Sequence, residues 1–375
     1  MTPVMVTGAA WATALGTGLD EVWGHLLAGR TGIRPVPATH GLRNLLAAPV
    51  TCLDLAEEHA QRQVALAGTV LRDALAHAKT PADADPLLVL GTSYGAHLDD
   101  GNTVDLQAWA VEVAARAGIR RPPVSLSTAC SSGSDAVLVG AQLIEAGVTD
   151  VCVCGGVDIL TPAKRLGHSA LGTMSPTLLR AFDERADGTL LGEGAGFLVL
   201  ESGARARQRG APVLAVFSGG GSSNDAAGMT APDPTGDGVV LAAERALAAA
   251  GRKPDDVAVV NAHGSGTPTN DAVEALSLAR LFSTGHRPVV FATKGAFGHS
   301  LGATGAVEAI AVILALRDRR VPPVHGLAQV AGALPLPLPA GGPRPIGTGV
   351  GLSLTLGFGG FNTCLVFEEA AADVG

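Results

Sequence analysis

The sequence predicts an α/β fold made of two similar halves, and three observations support this prediction. Short β-rich runs alternate with small-residue helical runs, for example PVMVTG, LLVLGTS and DVCVCGG early in the chain and VAVVNAH, VVFATK and VGLSLTL later. Several β-rich runs are apolar throughout, which is typical of strands in a sheet that is covered on both faces. One stretch in each part of the chain also follows the same order of strand, Gly/Ser-rich turn and apolar helix.

These two stretches are VSLSTACSSGSDAVLVGAQLIEAG, from residue 124, and VVFATKGAFGHSLGATGAVEAIAVILAL, from residue 289. Their likeness is one of architecture rather than of a sequence repeat. A helix that is apolar on every face must be central and buried. The polar segment ESGARARQRGAP at 201–212 is the best boundary between the halves. We therefore expect an N-terminal half at 1–205 and a C-terminal half at 206–375, each with one such interior element.

Composition limits the possible functions. The 375 residues are 47% hydrophobic, enough for a substantial core, and the formal net charge of -8 comes without any long basic run. This balance argues against nucleic acid or an anionic membrane surface as the main partner. No apolar run is long enough to span a bilayer, and no Lys or Arg precedes Arg30 as a secretory signal would require. Five cysteines without metal-ligand spacing suit a reducing compartment, so we expect a cytoplasmic protein.

Cys130 is the first candidate for chemistry. It precedes the predicted helix SSGSDAVLVGAQLIEAG, where unpaired N–H groups and the helix dipole favour a thiolate. The same N–H groups could stabilise a developing oxyanion. The alternative is a small buried residue at a crowded turn, which is the common fate of a free cysteine. The stretch alone leaves both readings open. Cys152 and Cys154, on one face of a predicted strand, are expected to be core residues.

A predicted strand delivers His263 into a loop rich in Gly, Ser and Thr, in the stretch VVNAHGSGTPTNDAVEAL. Glycines in such a loop allow close approach to a ligand, and the hydroxyls of Ser265 and Thr267 offer hydrogen bonds. Asp271 and Glu274 are spaced as a helix N-cap and its third-position partner, so we expect them to cap the next helix. His263 alone fits either a ligand contact or a satisfied loop histidine.

A third stretch, ATKGAFGHSLGATGAVEAIAVILAL, places Lys294, His299 and Glu308 in one strand-turn-helix element. Glu308 is the only charge inside its apolar helix, and a buried carboxylate needs a partner. Lys294 is the nearest candidate and is one of only four lysines in the chain. We expect an ion pair between them that also positions the neighbouring histidine.

The stretch TLGFGGFNT places Phe358 among glycines, including Gly359 and Gly360, between two predicted strands. An aromatic side chain flanked by glycines can swing, which suits a gate over a site. The alternative is a β-bulge that carries one core phenylalanine.

Taken together and in this order, TACSSG, NAHGSGTPTND, KGAFGHSLGATGAVEA and GFGG resemble the motifs of the β-ketoacyl-acyl-carrier-protein synthases of the Cys-His-His type. The stretch FDERADGTLLGEGAGFLVLE and the N-terminal stretch VTGAAWATALGTGLDEVWGHLLAGRTGI are also similar to that family. The resemblance covers nearly the whole chain. It implies the thiolase fold, in which two similar α/β halves form a five-layered αβαβα arrangement that is usually dimeric.

The resemblance also implies roles for the matching residues. Cys130 would accept an acyl group from an acyl carrier protein, while His263 and His299 would stabilise the enolate formed when a malonyl-type extender loses carbon dioxide. The backbone N–H groups of Cys130 and Phe358 would form the oxyanion hole, with Phe358 as the gate. Lys294 and Glu308 would be the supporting ion pair. No metal or redox cofactor is called for.

Two rival functions remain. A related acyltransferase would load Cys130 and pass the acyl chain on without decarboxylation, but retention of both histidines argues against this reading. A chain-length-factor-like binding partner would lack the nucleophile, which this chain has.

Two departures from the family pattern bear on the substrate. The segment between GTSYG and SLSTAC is shorter than in the fatty-acid enzymes, where it contributes to the dimer interface and the acyl tunnel. The loop around Phe358 differs at Thr355, Leu356 and Phe361. We therefore expect a specialised ketosynthase of polyketide or polyene type, either a homodimer or a heterodimer with a chain-length-factor-like subunit, with fatty-acid elongation as the alternative.

Overall fold

The computed structural model describes residues 3–38, 41–55, 57–81, 83–94, 96, 105–332 and 334–370. A large mixed sheet forms the framework of the molecule. Its strands, in chain order, are β1 (Val4–Ala12), β2 (Leu87–Gly91), β3 (Val124–Leu126), β4 (Val151–Asp158), β5 (Gly194–Ser202), β6 (Ala215–Asn224), β7 (Val257–Asn261), β8 (Val289–Phe291), β9 (Val350–Gly357) and β10 (Phe361–Glu369). Two pairs of two-residue strands lie outside this sheet, Arg34–Pro35 with Leu46–Ala47 and Arg320–Val321 with Arg344–Pro345.

The helices alternate with these strands as the sequence pattern predicts. They are α1 (Leu19–Leu27), α2 (His59–His77), α3 (Leu106–Arg116), α4 (Ser132–Glu145), α5 (Pro162–Ala170), α6 (Gly203–Gln208), α7 (Asp237–Ala249), α8 (Pro268–Leu281), α9 (Lys294–Phe297) and α10 (Thr304–Asp318). None of the helices in the described ranges is long and apolar enough to cross a membrane.

The sheet consists of two halves with the same topology. The strand order is β8-β7-β9-β10-β6-β1-β5-β4-β2-β3, so each strand of the first half has its counterpart five strands later. In both halves the three innermost strands pair antiparallel and the outer ones pair parallel. The halves join through three antiparallel residue pairs between β1 and β6. The strand-turn-helix elements that carry Cys130 and His299 therefore occupy equivalent positions.

Helices cover the sheet in layers. The central helices α4 and α10 contact each other and both halves of the sheet, while α2 covers β1 and β5 and α7 covers β6 and β10. Every residue of α10 from Thr304 to Leu316 is buried, as its apolar sequence requires. The layers follow one another in the order α2, first half of the sheet, α4 with α10, second half of the sheet and α7. This is the predicted five-layered arrangement, so the predicted fold is confirmed.

Two sequence-based expectations, the boundary between the halves and the shortened segment before Cys130, concern parts of the chain near residues outside the described ranges. The predicted boundary at 205/206 falls within α6, and the outermost residues of the two halves, 1–2 and 371–375, lie outside the described residues. The division into separate domains stays a prediction. In the segment between GTSYG and SLSTAC, which we expect to be shorter than in fatty-acid enzymes, residues 95 and 97–104 also lie outside the described residues.

Candidate active site

Cys130 lies in a tight turn between β3 and α4. A single 3₁₀ turn, Ala129–Ser131, joins the strand to the helix, and Ala129 adopts a left-handed backbone with φ of 52°. Asp135, in the first turn of α4, accepts hydrogen bonds from the hydroxyls of Thr128 (2.5 Å) and Ser131 (2.7 Å) on either side of the cysteine. These contacts fix the turn, and they place the Cys130 side chain in the interior between the two halves of the sheet.

The electrostatics of Cys130 differ from the prediction. Only 4% of the residue is exposed, and burial raises the pKa of the Cys130 thiol to about 11. Hydrogen bonds from the backbone N–H groups of Phe358 and of Cys130 itself, together with the charge of Lys294, oppose that rise in pKa without overcoming it. The expectation of a thiolate favoured by the helix start is therefore wrong for the resting protein, because desolvation outweighs the helix N-terminus.

The loop after β7 is held by two buried carboxylates. Glu274 on α8 accepts hydrogen bonds from the backbone N–H groups of His263 (2.5 Å) and Gly264 (2.8 Å). Asp271 accepts one from Gly266 at 3.1 Å, and its other oxygen accepts one from Phe182 at 2.7 Å. The capping prediction is wrong, since α8 begins at Pro268 and both carboxylates lie inside the helix, facing back onto the loop.

Lys294 and Glu308 form the expected ion pair, with Nζ and Oε1 2.7 Å apart and both side chains 1% exposed. The pair supports His263 rather than the histidine that follows it in sequence. Lys294 Nζ lies 3.2 Å from His263 Nδ1 and also donates to the His263 carbonyl oxygen. An ammonium group only donates, so Nδ1 is the acceptor and a neutral His263 carries its proton on Nε2.

His299 has the same tautomer for a different reason. The backbone N–H of Leu301 donates to His299 Nδ1 at 3.3 Å, and the hydroxyl of Thr304 lies 3.0 Å from the same nitrogen. The proton of the neutral ring therefore resides on Nε2. The two imidazole rings meet edge to face, with centroids 5.2 Å apart. Two causes lower the pKa of both His263 and His299 well below the ordinary value of a histidine: burial, which is the larger cause, and the charge of Lys294. Both rings are thus neutral.

The hairpin between β9 and β10 forms one wall of the site. Phe358 lies at its tip. The backbone N–H of Gly359 donates to the carbonyl of Met229, and the Gly359 carbonyl accepts a hydrogen bond from the Asn224 side chain, both at 2.9 Å. Gly360 has a φ of 81°, and a Cβ there would lie 2.3 Å from a carboxylate oxygen of Asp225. Only glycine fits this contact. The hairpin and the segment at 225–236 therefore close over the site together.

One cavity brings most of the predicted site residues together. It has a volume of about 140 Å³, and the predicted residues that line it are Cys130, His263, Ser265, Thr267, His299, Phe358 and Gly360. Lys294 and Glu308 are buried behind His263. Gly359 is exposed and does not line the cavity. The cavity is thus smaller than the pockets of about 300–1,000 Å³ that hold sizeable ligands.

Sequence reasoning missed several residues of this cavity. His168 on α5 lines it with its ring stacked on Phe358, at a centroid distance of 5.5 Å and an interplanar angle of 23°. Thr189, Asp225 and Asn270 also line it. No local pattern separates these residues from ordinary helix and loop positions, because only the tertiary fold brings them to the site. Among the described residues, no cluster of three or more potential metal ligands is present.

Comparison with known proteins identifies the family. The model of the N-terminal domain of β-ketoacyl synthases matches residues 1–206, and the model of the C-terminal domain matches residues 214–328. The chain belongs to the β-ketoacyl synthase family. Nodulation protein E of Rhizobium meliloti strain 1021 is 31% identical over 296 residues, which cover 70% of this chain and 73% of that protein.

Other members of the family show how far the similarity extends. The oxytetracycline polyketide putative β-ketoacyl synthase 1 of Streptomyces rimosus is 31% identical over 70% of this chain and 72% of its own length. The chloroplastic 3-oxoacyl-[acyl-carrier-protein] synthase II of Arabidopsis thaliana is 41% identical over 153 residues, and the match spans 39% of this chain but only 28% of the plant protein.

Solved structures of β-ketoacyl synthases superpose on the whole chain. A β-ketoacyl synthase from Burkholderia phymatum STM815 has a TM-score of 0.89 and 31% identity, and the match covers 99% of this chain and 100% of that one. The ishigamide ketosynthase/chain length factor has a TM-score of 0.90 and 28% identity, with coverage of 99% and 100%. The thiolase-like fold thus extends across both halves of the chain.

Proposed function

We propose that this β-ketoacyl synthase catalyses the decarboxylative condensation of an acyl group held on Cys130 with a malonyl-type extender on an acyl carrier protein. One observation carries the proposal. Cys130 and two neutral imidazoles, His263 and His299, line a single cavity, and each imidazole has its proton on Nε2. A thiol suits acyl transfer, and a pair of neutral N–H donors suits an enolate.

In the loading step, the sulfur of Cys130 attacks the thioester carbonyl of the acyl carrier. The new carbon–sulfur bond to Cys130 forms as the bond to the carrier's pantetheine sulfur breaks, and the Cys130 proton passes to the departing thiol. The backbone N–H of Phe358 already hydrogen-bonds to the Cys130 sulfur in the resting protein. Together with the Cys130 N–H, it is placed to stabilise the oxyanion of the tetrahedral intermediate.

In the decarboxylation step, the bond between the malonyl methylene carbon and its carboxylate breaks, and carbon dioxide leaves. The electron pair moves onto the extender's thioester oxygen as an enolate. His263 and His299 donate their Nε2 protons in hydrogen bonds to this oxygen, and Lys294 with Glu308 holds His263 in the tautomer that can do so. Preorganised donors of this kind stabilise developing charge without reorganising during the reaction.

In the condensation step, the enolate carbon attacks the acyl carbonyl on Cys130. A carbon–carbon bond forms, the carbon–sulfur bond to Cys130 breaks, and the thiolate regains a proton from solvent. The 3-oxoacyl product remains on the carrier protein. Ser265 and Thr267 supply hydroxyls along the cavity for the pantetheine arm, and Gly359 and Gly360 allow the Phe358 hairpin to open for it.

The partners proposed for the chain follow from its chemistry and its relatives. The acyl and malonyl thioesters require an acyl carrier protein. A chain-length-factor-like subunit is proposed as the second protomer of a heterodimer, supported by the ishigamide structure, with a homodimer as the alternative. Likeness to the oxytetracycline enzyme supports a role in polyketide synthesis, with fatty-acid synthesis as the alternative that likeness to the plant synthase II supports, and we place that role in the cytoplasm.

The test separates the two half-reactions. Intact-protein mass spectrometry after incubation with hexanoyl-pantetheine should show one added acyl group on the native chain and on Cys52→Ala, which removes an exposed thiol, but none on Cys130→Ala. His299→Ala should still be acylated and should release carbon dioxide from malonyl-pantetheine at least tenfold more slowly, because one enolate donor is lost. Stoichiometric acylation of Cys130→Ala, or undiminished release by His299→Ala, would contradict the assignment.

A further inference from the structure

A fully buried aspartate, Asp158, joins four segments of the chain. It is the last residue of β4, and its Oδ1 accepts hydrogen bonds from Lys164 Nζ at 2.6 Å and from the Thr92 hydroxyl at 3.0 Å. Its Oδ2 accepts from the backbone N–H groups of Ser93 at 2.9 Å and of Gly302 at 2.6 Å. These four bonds use the acceptor capacity of the carboxylate in full.

The bond from Gly302 anchors the 3₁₀ turn that follows His299. The turn spans Leu301–Ala303, and Leu301 has a left-handed backbone with φ of 48°. A leucine is strained in that conformation, so the contacts around it must hold it there. The N–H of Leu301 donates to His299 Nδ1 at 3.3 Å, and the next N–H along the chain, that of Gly302, donates to Asp158. Asp158 therefore holds the peptide beside the one that binds His299.

Gly302 also packs tightly against this carboxylate. A Cβ on Gly302 would lie 2.5 Å from the backbone nitrogen of Ser93 and 2.7 Å from Asp158 Oδ2, both closer than a Cβ can come. The turn thus lies directly on the end of β2 and on Asp158.

The other oxygen of Asp158 connects to the turn of Cys130. The Thr92 hydroxyl bonds to Oδ1, and the carbonyl of Thr92 lies 3.1 Å from the hydroxyl of Ser132, two residues after the cysteine. Lys164, which is 8% exposed, neutralises the carboxylate from the same side. The two oxygens of Asp158 therefore support different turns, one that carries the nucleophile and one that follows the histidine.

We propose that Asp158 is a positioning residue for decarboxylation. Through the Gly302 peptide it holds the turn that keeps the Nε2 proton of His299 directed at the enolate oxygen. It does not line the catalytic cavity and does not touch the substrate. This inference rests on the proposed function, because it needs His299 to stabilise an enolate.

Asp158→Asn tests the proposal with almost no change of shape. The amide has one oxygen and one NH₂ group where the carboxylate has two acceptors. Because the Lys164 ammonium requires the oxygen, the NH₂ group must face the N–H groups of Ser93 and Gly302. Two donors then oppose each other, and the turn after His299 loses its anchor.

The measurement compares the two half-reactions. In Asp158→Asn, kcat for carbon dioxide release from malonyl-pantetheine should fall about tenfold while KM stays within about twofold, because only stabilisation of the enolate is lost. Acylation of Cys130 by hexanoyl-pantetheine, followed by intact-protein mass spectrometry, should stay within about threefold of the native rate, since the bond from Thr92 remains.

A double variant, Asp158→Asn with Lys164→Met, tests the orientation of the amide. Without the ammonium, the amide oxygen can turn to Ser93 and Gly302 while the NH₂ group donates to the hydroxyl oxygen of Thr92. The double variant should release carbon dioxide within about threefold of the native rate and so faster than the single variant. A double variant no faster than Asp158→Asn would overturn the anchoring role.

Glu201→Gln is the matched control. Glu201 is also a buried carboxylate that binds a hydroxyl, Thr7 at 2.6 Å, and a cationic side chain, Arg209 Nε at 2.8 Å. The chain just before β5 lies beside His299, where the Gly192 N–H donates to the His299 carbonyl at 2.9 Å, and Glu201 lies near the other end of that strand. Glu201→Gln should lower the melting temperature and leave both half-reactions at native rates.

Gly302→Ala displaces the same turn without changing a charge. Its added Cβ pushes the turn away from Asp158, so it should also slow carbon dioxide release and spare acylation. This variant decides the question if Asp158→Asn does not fold.

The outcomes separate this inference from the proposed function. A fall in kcat for carbon dioxide release at a native acylation rate supports the positioning role. If the deciding variant keeps the native release rate, or slows both half-reactions equally, the positioning role is overturned while the ketosynthase assignment stands. If the native chain releases no carbon dioxide from malonyl-pantetheine, the proposed function fails and this inference fails with it.

Discussion

At the residue scale, Cys130, His263 and His299 are all uncharged in the resting protein. Burial raises the pKa of Cys130 and lowers the pKa of His263 and His299, so desolvation acts on all three in the direction of the neutral form. With only 4% of Cys130 exposed, little of the thiol is accessible to solvent. In the mechanism we propose, arrival of substrate and opening of the site, rather than a standing thiolate, therefore control the loading step.

This property predicts how the reactivity of Cys130 depends on pH. The pKa of the thiol is raised to about 11, and alkylation requires the thiolate. In a Cys52→Ala background, the rate of Cys130 alkylation by iodoacetamide should therefore rise about tenfold per pH unit from pH 6 to pH 9. A rate that levels off near pH 7 would show an activated thiolate and would contradict the electrostatic account.

At the element scale, the β9–β10 hairpin and the segment at 225–236 close over the cavity as one unit. The contact depends on the left-handed backbone of Gly360 and on its close approach to Asp225. The hairpin also carries Phe358, whose N–H reaches the Cys130 sulfur. In the mechanism we propose, the position of this hairpin therefore decides both the access of substrate and the completeness of the oxyanion hole.

Substitution of Gly360 tests this coupling against a matched glycine. Gly360→Ala forces the hairpin away from Asp225 and should slow acylation of Cys130 at least tenfold. Gly118 also has a left-handed φ, of 74°, but a Cβ there meets nothing within 4 Å. Gly118→Ala should lose about 1–2 kcal/mol of stability from backbone strain alone and retain full acylation. Equal acylation rates in the two variants, measured beside their melting temperatures, would argue against the hairpin as the gate.

At the scale of the whole molecule, the two halves share one topology but contribute different chemistry. The first half supplies Cys130, and the second supplies His263, His299 and the hairpin of Phe358. The site exists only where the halves meet. Stability of the assembled layers is therefore a condition for catalysis, and buried polar contacts between layers should matter more than surface ones.

Arg62 and Glu193 provide a test of this layer packing. Arg62 on α2 binds both oxygens of Glu193, at 2.8 and 2.9 Å, and both side chains are at most 1% exposed. Arg62→Met would leave the Glu193 carboxylate buried without its charge partner and should cost about 3–5 kcal/mol in the free energy of unfolding. The surface pair of Arg116 with Glu112 is the control, and Arg116→Met should cost at most about 0.5 kcal/mol. Urea denaturation that gives similar losses for both variants would contradict this account.

Sequence patterns predicted the parts of the molecule that depend on local order. The strand-turn-helix elements, the burial of α10 and the pairing of Lys294 with Glu308 all follow from apolar patterning and from the cost of a lone buried charge. The thiolate at Cys130 was wrong because burial is a property of the assembled fold. The cavity positions of His168 and Thr189 were missed for the same reason.

The most direct test of the central claim is the mass of the condensation product. The native chain is incubated with hexanoyl-pantetheine and [2-¹³C]malonyl-pantetheine, and the thioesters are analysed by mass spectrometry. We predict 3-oxooctanoyl-pantetheine that retains the ¹³C label, formed with one equivalent of carbon dioxide and absent in Cys130→Ala. Acylation of Cys130 with no labelled carbon–carbon bond formed would contradict the account and would indicate acyl transfer without condensation.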